Sequence, residues 1–209
     1  MTDANAQEDL AFVRAMAEEG RNVPLVGGSS FMLWGGLIGS AAMLSWFNDI
    51  GIYNMPFSNL WLWTGAIIIG WVASIALARA TGPTPGASTF GNKTAGAAWF
   101  GCGVFITIFW LSIVGAEIMR PEDGFPVGNL GAAMFSVAFG LYGLAFMVSA
   151  VAANVTWMRW VAVVSWVISS GLLFALNSKF YMLLAALGTY AVVFVPGFIL
   201  YRNQPSTTV

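Results

Sequence analysis

Long apolar runs alternate along this chain with short polar or turn-forming segments. The runs cover 24–47, 60–80, 96–119, 128–152, 157–176 and 180–201. Each approaches or exceeds the roughly 20 apolar residues that cross a hydrocarbon core as a helix. The pattern predicts an all-α integral membrane bundle of six transmembrane helices spanning 24–201. The separating stretches "NDIGIYNMPFSN" (48–59), "TGPTPGASTFGNKTA" (81–95) and "RPEDGFPV" (120–127) carry the Gly, Pro and Asn of loops. The last two junctions, "ANVT" and "NSK", are short enough to force antiparallel neighbours: helix four beside five, and five beside six.

Orientation follows from where the cations fall. With the N-terminus inside, Arg14, Arg21, Arg79, Lys93, Arg159 and Arg202 are inside, and only Arg120 and Lys179 are outside. The positive-inside rule then puts both termini in the cytoplasm, with the chain multi-pass in the inner (cell) membrane. In that frame Trp61 and Trp63 are expected to anchor the outer end of helix two, and Trp157, Trp160 and Tyr201 inner ends. Residues 1–23 read as a cytoplasmic amphipathic segment, in which Leu10, Val13 and Ala17 share one stripe over 8–19. Its five acids and two bases suit it poorly to anionic lipid heads. Packing on the bundle or on a neighbouring subunit is one reading, a frayed tail the other. Residues 202–209 form a short cytoplasmic tail.

Composition agrees with the pattern. Apolar residues make up 58% of the 209 and charged residues 8%, against about 25% in a soluble domain. Such a chain has the lipid bilayer as its solvent. A net charge of −1 gives no electrostatic footprint for nucleic acid. The absence of His removes His-ligated cofactors, the common catalytic metal sites and His-activated nucleophiles. The lone Cys102, between two glycines, reads as a small packed residue. The expectation is a protein without enzyme activity, catalytic residues, metal or cofactor.

Two short matches link the halves of the chain. "GLIGSAAM" (36–43) and "GLYGLAFM" (140–147) both fit G-L-x-G-x-A-x-M, and W-V-x-S recurs at 71–74 and 166–169. One reading is a 3+3 inverted repeat, as in many transporters, with a path at the repeat interface. The other is convergent packing. Gly35, Gly36, Gly39 and Ser40 in helix one, and Ser136, Gly140 and Gly143 in helix four, form the small-residue faces that let helices approach closely in lipid. Either reading places helices one and four at the centre.

Ionisable groups inside membranes mark ion or proton paths, and Glu117 is the only carboxylate within these apolar runs. It is either an interfacial partner of Arg120 or a gate at the outer vestibule. With Ser40 and Tyr142 it makes up the candidate pathway residues.

The "NVPL" stretch (Asn22, Pro24, Leu25) and "TFGNKT" (Thr89, Phe90, Gly91, Thr94) resemble the N-P-A-P-L-G and T-F-G motifs of the acetate uptake transporter family, which includes the bacterial acetate/succinate permeases. The first motif is one residue short here, and "AAWFG" replaces the tyrosine-glycine pair expected after the second. The resemblance implies passage of small monocarboxylates through a pore in each subunit of an oligomer. Two functions follow as expectations: a channel or carrier for a small solute such as a monocarboxylate, or a non-transporting accessory or scaffold subunit of a membrane complex. Either permits a homo-oligomer.

The topology is checked by single cysteines at Asn54, Thr84 and Pro205 in a Cys102→Ser background. Only the Asn54 site should react with an impermeant reagent applied outside intact cells. External labelling at Thr84 would reverse or break the six-span order.

Overall fold

The computed structural model describes residues 25–81, 86–119 and 127–204. The predicted helix over 8–19, Arg120 and most of the C-terminal tail lie outside the described residues. Six helices follow in chain order: α1 Gly28–Asp49, α2 Asn59–Thr81, α3 Phe90–Met119, α4 Val127–Ala152, α5 Trp157–Phe174 and α6 Tyr181–Arg202. All six carry a window long and apolar enough to span a bilayer. The protein is therefore a polytopic α-helical membrane protein.

In hydrocarbon every hydroxyl and amide must find a partner within the protein. Thr64, Thr107, Ser112, Ser149 and Thr189 donate to the carbonyl four residues earlier in their own helices. Helix ends are made by residues that tolerate the left-handed region. Asn154 (φ 55°) and Asn177 (φ 66°) turn the chain after α4 and α5, which explains how these junctions stay short.

The helices form a ring in sequence order, closed by α6 on α1. The tightest pairs are α1–α6, α4–α5 and α3–α4, while α2–α3 and α5–α6 are loose. Half of the spanning window is buried in α4 and in α6, against 28% in α1. The central helices are thus α4 and α6. The expectation that helix one shares the centre with helix four is corrected, because the glycine face of α1 is spent on α6. A Cβ at Gly35 would lie 2.6 Å from the Phe194 backbone nitrogen, and one at Gly39 2.9 Å from the Tyr190 ring. Nearer the start of α1, a Cβ at Gly197 of α6 would lie 2.6 Å from the Phe31 Cβ.

Two departures from the sequence pattern have local causes. Helix α3 starts at Phe90, six residues before its apolar run. Thr89 and Asn92 hold this start. The Asn92 amide nitrogen donates to the Gly86 carbonyl (3.0 Å) and the Thr89 hydroxyl (3.1 Å), and its oxygen accepts from the Val26 amide (2.9 Å). Polar residues therefore extend the helix by satisfying its first turn and tying it to the entry of α1. Helix α6 contains a π-helical turn at Tyr190–Phe194. Pro196 follows and lacks the amide hydrogen that would continue the regular ladder, so the wider turn absorbs the interruption.

The tryptophans divide as well. Trp61, Trp160 and Tyr201 are exposed, as interfacial anchors require, but Trp63 turns inward against Phe135 at 5.2 Å.

Gly35→Ala should lower stability by about 1–3 kcal/mol, since the new methyl meets backbone that cannot move aside. At Gly65 a Cβ would have nothing within 4 Å, so Gly65→Ala should be neutral or stabilising through helix propensity. Thermal unfolding in detergent compares them. Equal midpoints would mean that α1 and α6 are not in backbone contact.

Candidate functional site

The loose α2–α3 seam is held open by side chains rather than closed by backbone contact. Trp71 of α2 donates its indole N–H to the Thr107 hydroxyl of α3 (3.0 Å), and Trp110 of α3 donates to the Thr64 hydroxyl of α2 (3.1 Å). Each threonine passes its own proton to a carbonyl one turn back in its helix. Two reciprocal rungs, each one indole long, therefore set the distance between these helices. Trp34 of α1 reaches the Ser74 hydroxyl of α2 in the same way (3.0 Å), and Trp99 of α3 reaches Ser149 of α4 (3.2 Å).

Spacing helices with tryptophans leaves a cavity of about 430 Å³ among α1, α2, α3, α4 and α6. Its walls include Trp34, Trp63, Trp71, Trp99 and Trp110 with Phe31 and Phe135. Along α2 it runs from Asn59 to Ser74, about 22 Å at the helical rise. Polar groups gather at its ends, Asn59 on one side and Ser30 and Ser74 on the other, where α1 begins. Among the described residues no Asp, Glu, Lys or Arg lines it. A volume of this size, mostly apolar with a few convergent polar groups, is the usual form of a small-molecule site.

Of the predicted pathway residues only Tyr142 lines the cavity. Ser40 is exposed on α1, its hydroxyl 2.9 Å from that of Tyr190. Glu117 is half-buried in the last turn of α3, away from the cavity. The predicted packing residues all lie at helix contacts, but not at one shared contact. Gly35, Gly36 and Gly39 face α6. Gly140 lies beside Ser169 of α5, Gly143 lies under the Trp166 indole, and the Ser136 carbonyl accepts from the Ser169 hydroxyl at 2.6 Å.

These contacts bear on the octapeptide match. Under an exchange of chain halves, α6 corresponds to α3. The first copy packs on α6, whereas the second packs on α5. The shared glycines thus serve non-equivalent neighbours. The W-V-x-S match is different: both copies are hydrogen-bonding stations. Trp71 and Ser74 bond to α3 and α1, and Trp166 and Ser169 both bond to carbonyls of α4. The i, i+3 spacing puts both polar handles on one helix face. In the sequence this motif reads only as a trace of a repeat, although its spacing was the one signal that could have revealed the tryptophan network.

Asn92 of "TFGNKT" accepts from the Val26 amide, one residue beyond "NVPL", of which only Leu25 is among the described residues. Cys102 is buried, its thiol 3.6 Å from the Leu141 carbonyl.

Fold and cavity together define a polytopic membrane protein with an internal, largely apolar site. No protein-family model, curated protein or solved structure matches the chain.

Thr107→Val keeps the shape of its side chain and removes the acceptor of Trp71. The expected stability loss is about 0.6–1.7 kcal/mol, the range of interhelical hydrogen bonds measured in lipid. Val at Ser112, whose hydroxyl bonds only within its own helix, is the comparison. Equal effects in thermal unfolding would mean that the rung does not hold α2 and α3.

Proposed function

We propose that this protein is a non-catalytic membrane carrier that takes small, uncharged, largely apolar molecules into the cavity between α2 and α3. The observation that supports this best is the cavity itself: about 430 Å³, walled by five tryptophans and lined by no charged side chain among the described residues. Desolvating a carboxylate there would find no cation to offset it, and an isolated buried charge is costly. A monocarboxylate would therefore have to enter as the neutral acid. A neutral solute has no such cost. Polar groups at both ends of the cavity and apolar walls between them also suit passage of a weakly polar molecule. The Lys/Arg distribution supports an orientation with both termini in the cytoplasm.

The test is a titration of bromobenzene, a heavy-atom quencher, into the protein in lipid nanodiscs while tryptophan emission is followed. A saturable quenching component is expected above the linear quenching of a tryptophan analogue in the same lipid. Ala138→Phe, which places a ring in the cavity wall, should remove that component. Linear quenching alone, unchanged in Ala138→Phe, would overturn the carrier reading and favour an accessory subunit.

A further inference from the structure

The opening of the cavity and an uncommitted mid-cavity hydroxyl, that of Tyr142, constrain the ligand further. Phe100 lines the cavity and is also 63% exposed on the outside of the bundle. The cavity therefore has a mouth beside Phe100, on the seam where α2 and α3 make little backbone contact. That face of a spanning helix meets lipid rather than water. An occupant can enter from the bilayer without crossing an aqueous phase, and an apolar tail attached to it can stay in the lipid.

The interior favours a flat ring. Trp99 packs against Phe31 at 4.5 Å and against Tyr142 at 5.6 Å, while Trp34 and Trp71 meet edge to face at 5.9 Å. Such walls present ring faces and edges to whatever lies between them. The absence of lining charges requires the ring to be neutral.

One group adds specificity. Thr107, Thr189 and Cys102 all line the cavity, but their protons go to the carbonyls of Gly103, Ala185 and Leu141. Ser74 holds the Trp34 indole. Tyr142 lies in the middle of α4, lines the cavity and forms no hydrogen bond among the described residues. Its O–H is a donor in apolar surroundings, where an unmade hydrogen bond is expensive. An acceptor oxygen on the ligand would complete it.

We infer that the cavity admits, laterally between α2 and α3, a flat uncharged ring bearing a carbonyl oxygen and an apolar tail, the chemistry of a prenylated quinone, and that Tyr142 donates the hydrogen bond to that carbonyl. This rests on the carrier reading above, and the experiment separates the two. The probes are 2-methyl-1,4-naphthoquinone, the same naphthoquinone carrying a prenyl tail, and 2-methylnaphthalene, which has the ring shape without oxygens. Binding is measured by calorimetry on the full chain in nanodiscs. The quinone is expected to bind at least about tenfold tighter than the hydrocarbon. Tyr142→Phe should abolish that difference. The tailed quinone should bind as well as the untailed one. Equal affinity for quinone and hydrocarbon in the wild type, or an unaltered preference in Tyr142→Phe, would overturn the role of Tyr142 while the apolar carrier reading stands. Rejection of the tailed quinone would overturn lateral entry. If no probe binds and bromobenzene quenching is not saturable, the carrier reading fails, and this inference with it.

Discussion

An indole N–H in hydrocarbon has no water to bond, so it must reach an acceptor on another part of the protein. Much of this structure follows from that requirement. Trp34, Trp46, Trp71, Trp99, Trp110 and Trp166 each donate to a hydroxyl or carbonyl on another helix or on the loop before α6. At both α2–α3 rungs the acceptor is a side-chain hydroxyl and two side chains stand between the backbones, whereas α3 and α4 pack closely beside the Trp99–Ser149 bond. Two such rungs join α2 and α3, and this is where the cavity lies.

Glycine sets the opposite limit. Along α1 and α6, Gly35, Gly39 and Gly197 bring side chains and backbone into contact with nothing between them. Gly143 lets the Trp166 indole lie flat on α4 and reach the Gly140 carbonyl at 3.1 Å. The ring of six helices is therefore tight at α1–α6, α3–α4 and α4–α5 and open at α2–α3. Its asymmetry is chemical, a matter of which residue stands between neighbouring helices. The occupant proposed for the cavity follows from the same inventory. Tryptophan supplies walls without charge, and the Thr107 and Thr189 protons go to carbonyls of their own helices, which leaves Tyr142 as the mid-cavity donor among the described residues.

The contact between Val26 and Asn92 shows how far a motif can be read from one chain. Asn92, inside one of the stretches that resemble a transporter family, ties the start of α3 to the residues leading into α1. That contact is remote from Tyr142 and carries no information about substrate.

What the sequence determined by itself was the class and the span order. Apolar runs of membrane length, 8% charge and the short "ANVT" and "NSK" junctions leave little other than six antiparallel spans. Span length and backbone satisfaction are local properties, so they are legible without knowing any neighbour. The small-residue faces were legible too, and each lies at a helix contact. Their partners were not, because a glycine says only that something comes close. Tertiary structure decided that Gly39 meets Tyr190 and Gly143 meets Trp166, which moved the centre of the bundle from α1 to α6. It also decided which pathway residues gather. Tyr142 lines the cavity while Ser40 and Glu117 stay apart from it, since the face a polar residue presents depends on the rotation of its helix against neighbours distant in sequence. The α3 start at Phe90 was hidden for the same reason. The polar stretch "TFGNKT" reads as a loop until Asn92 has Val26 to bond, 66 residues away.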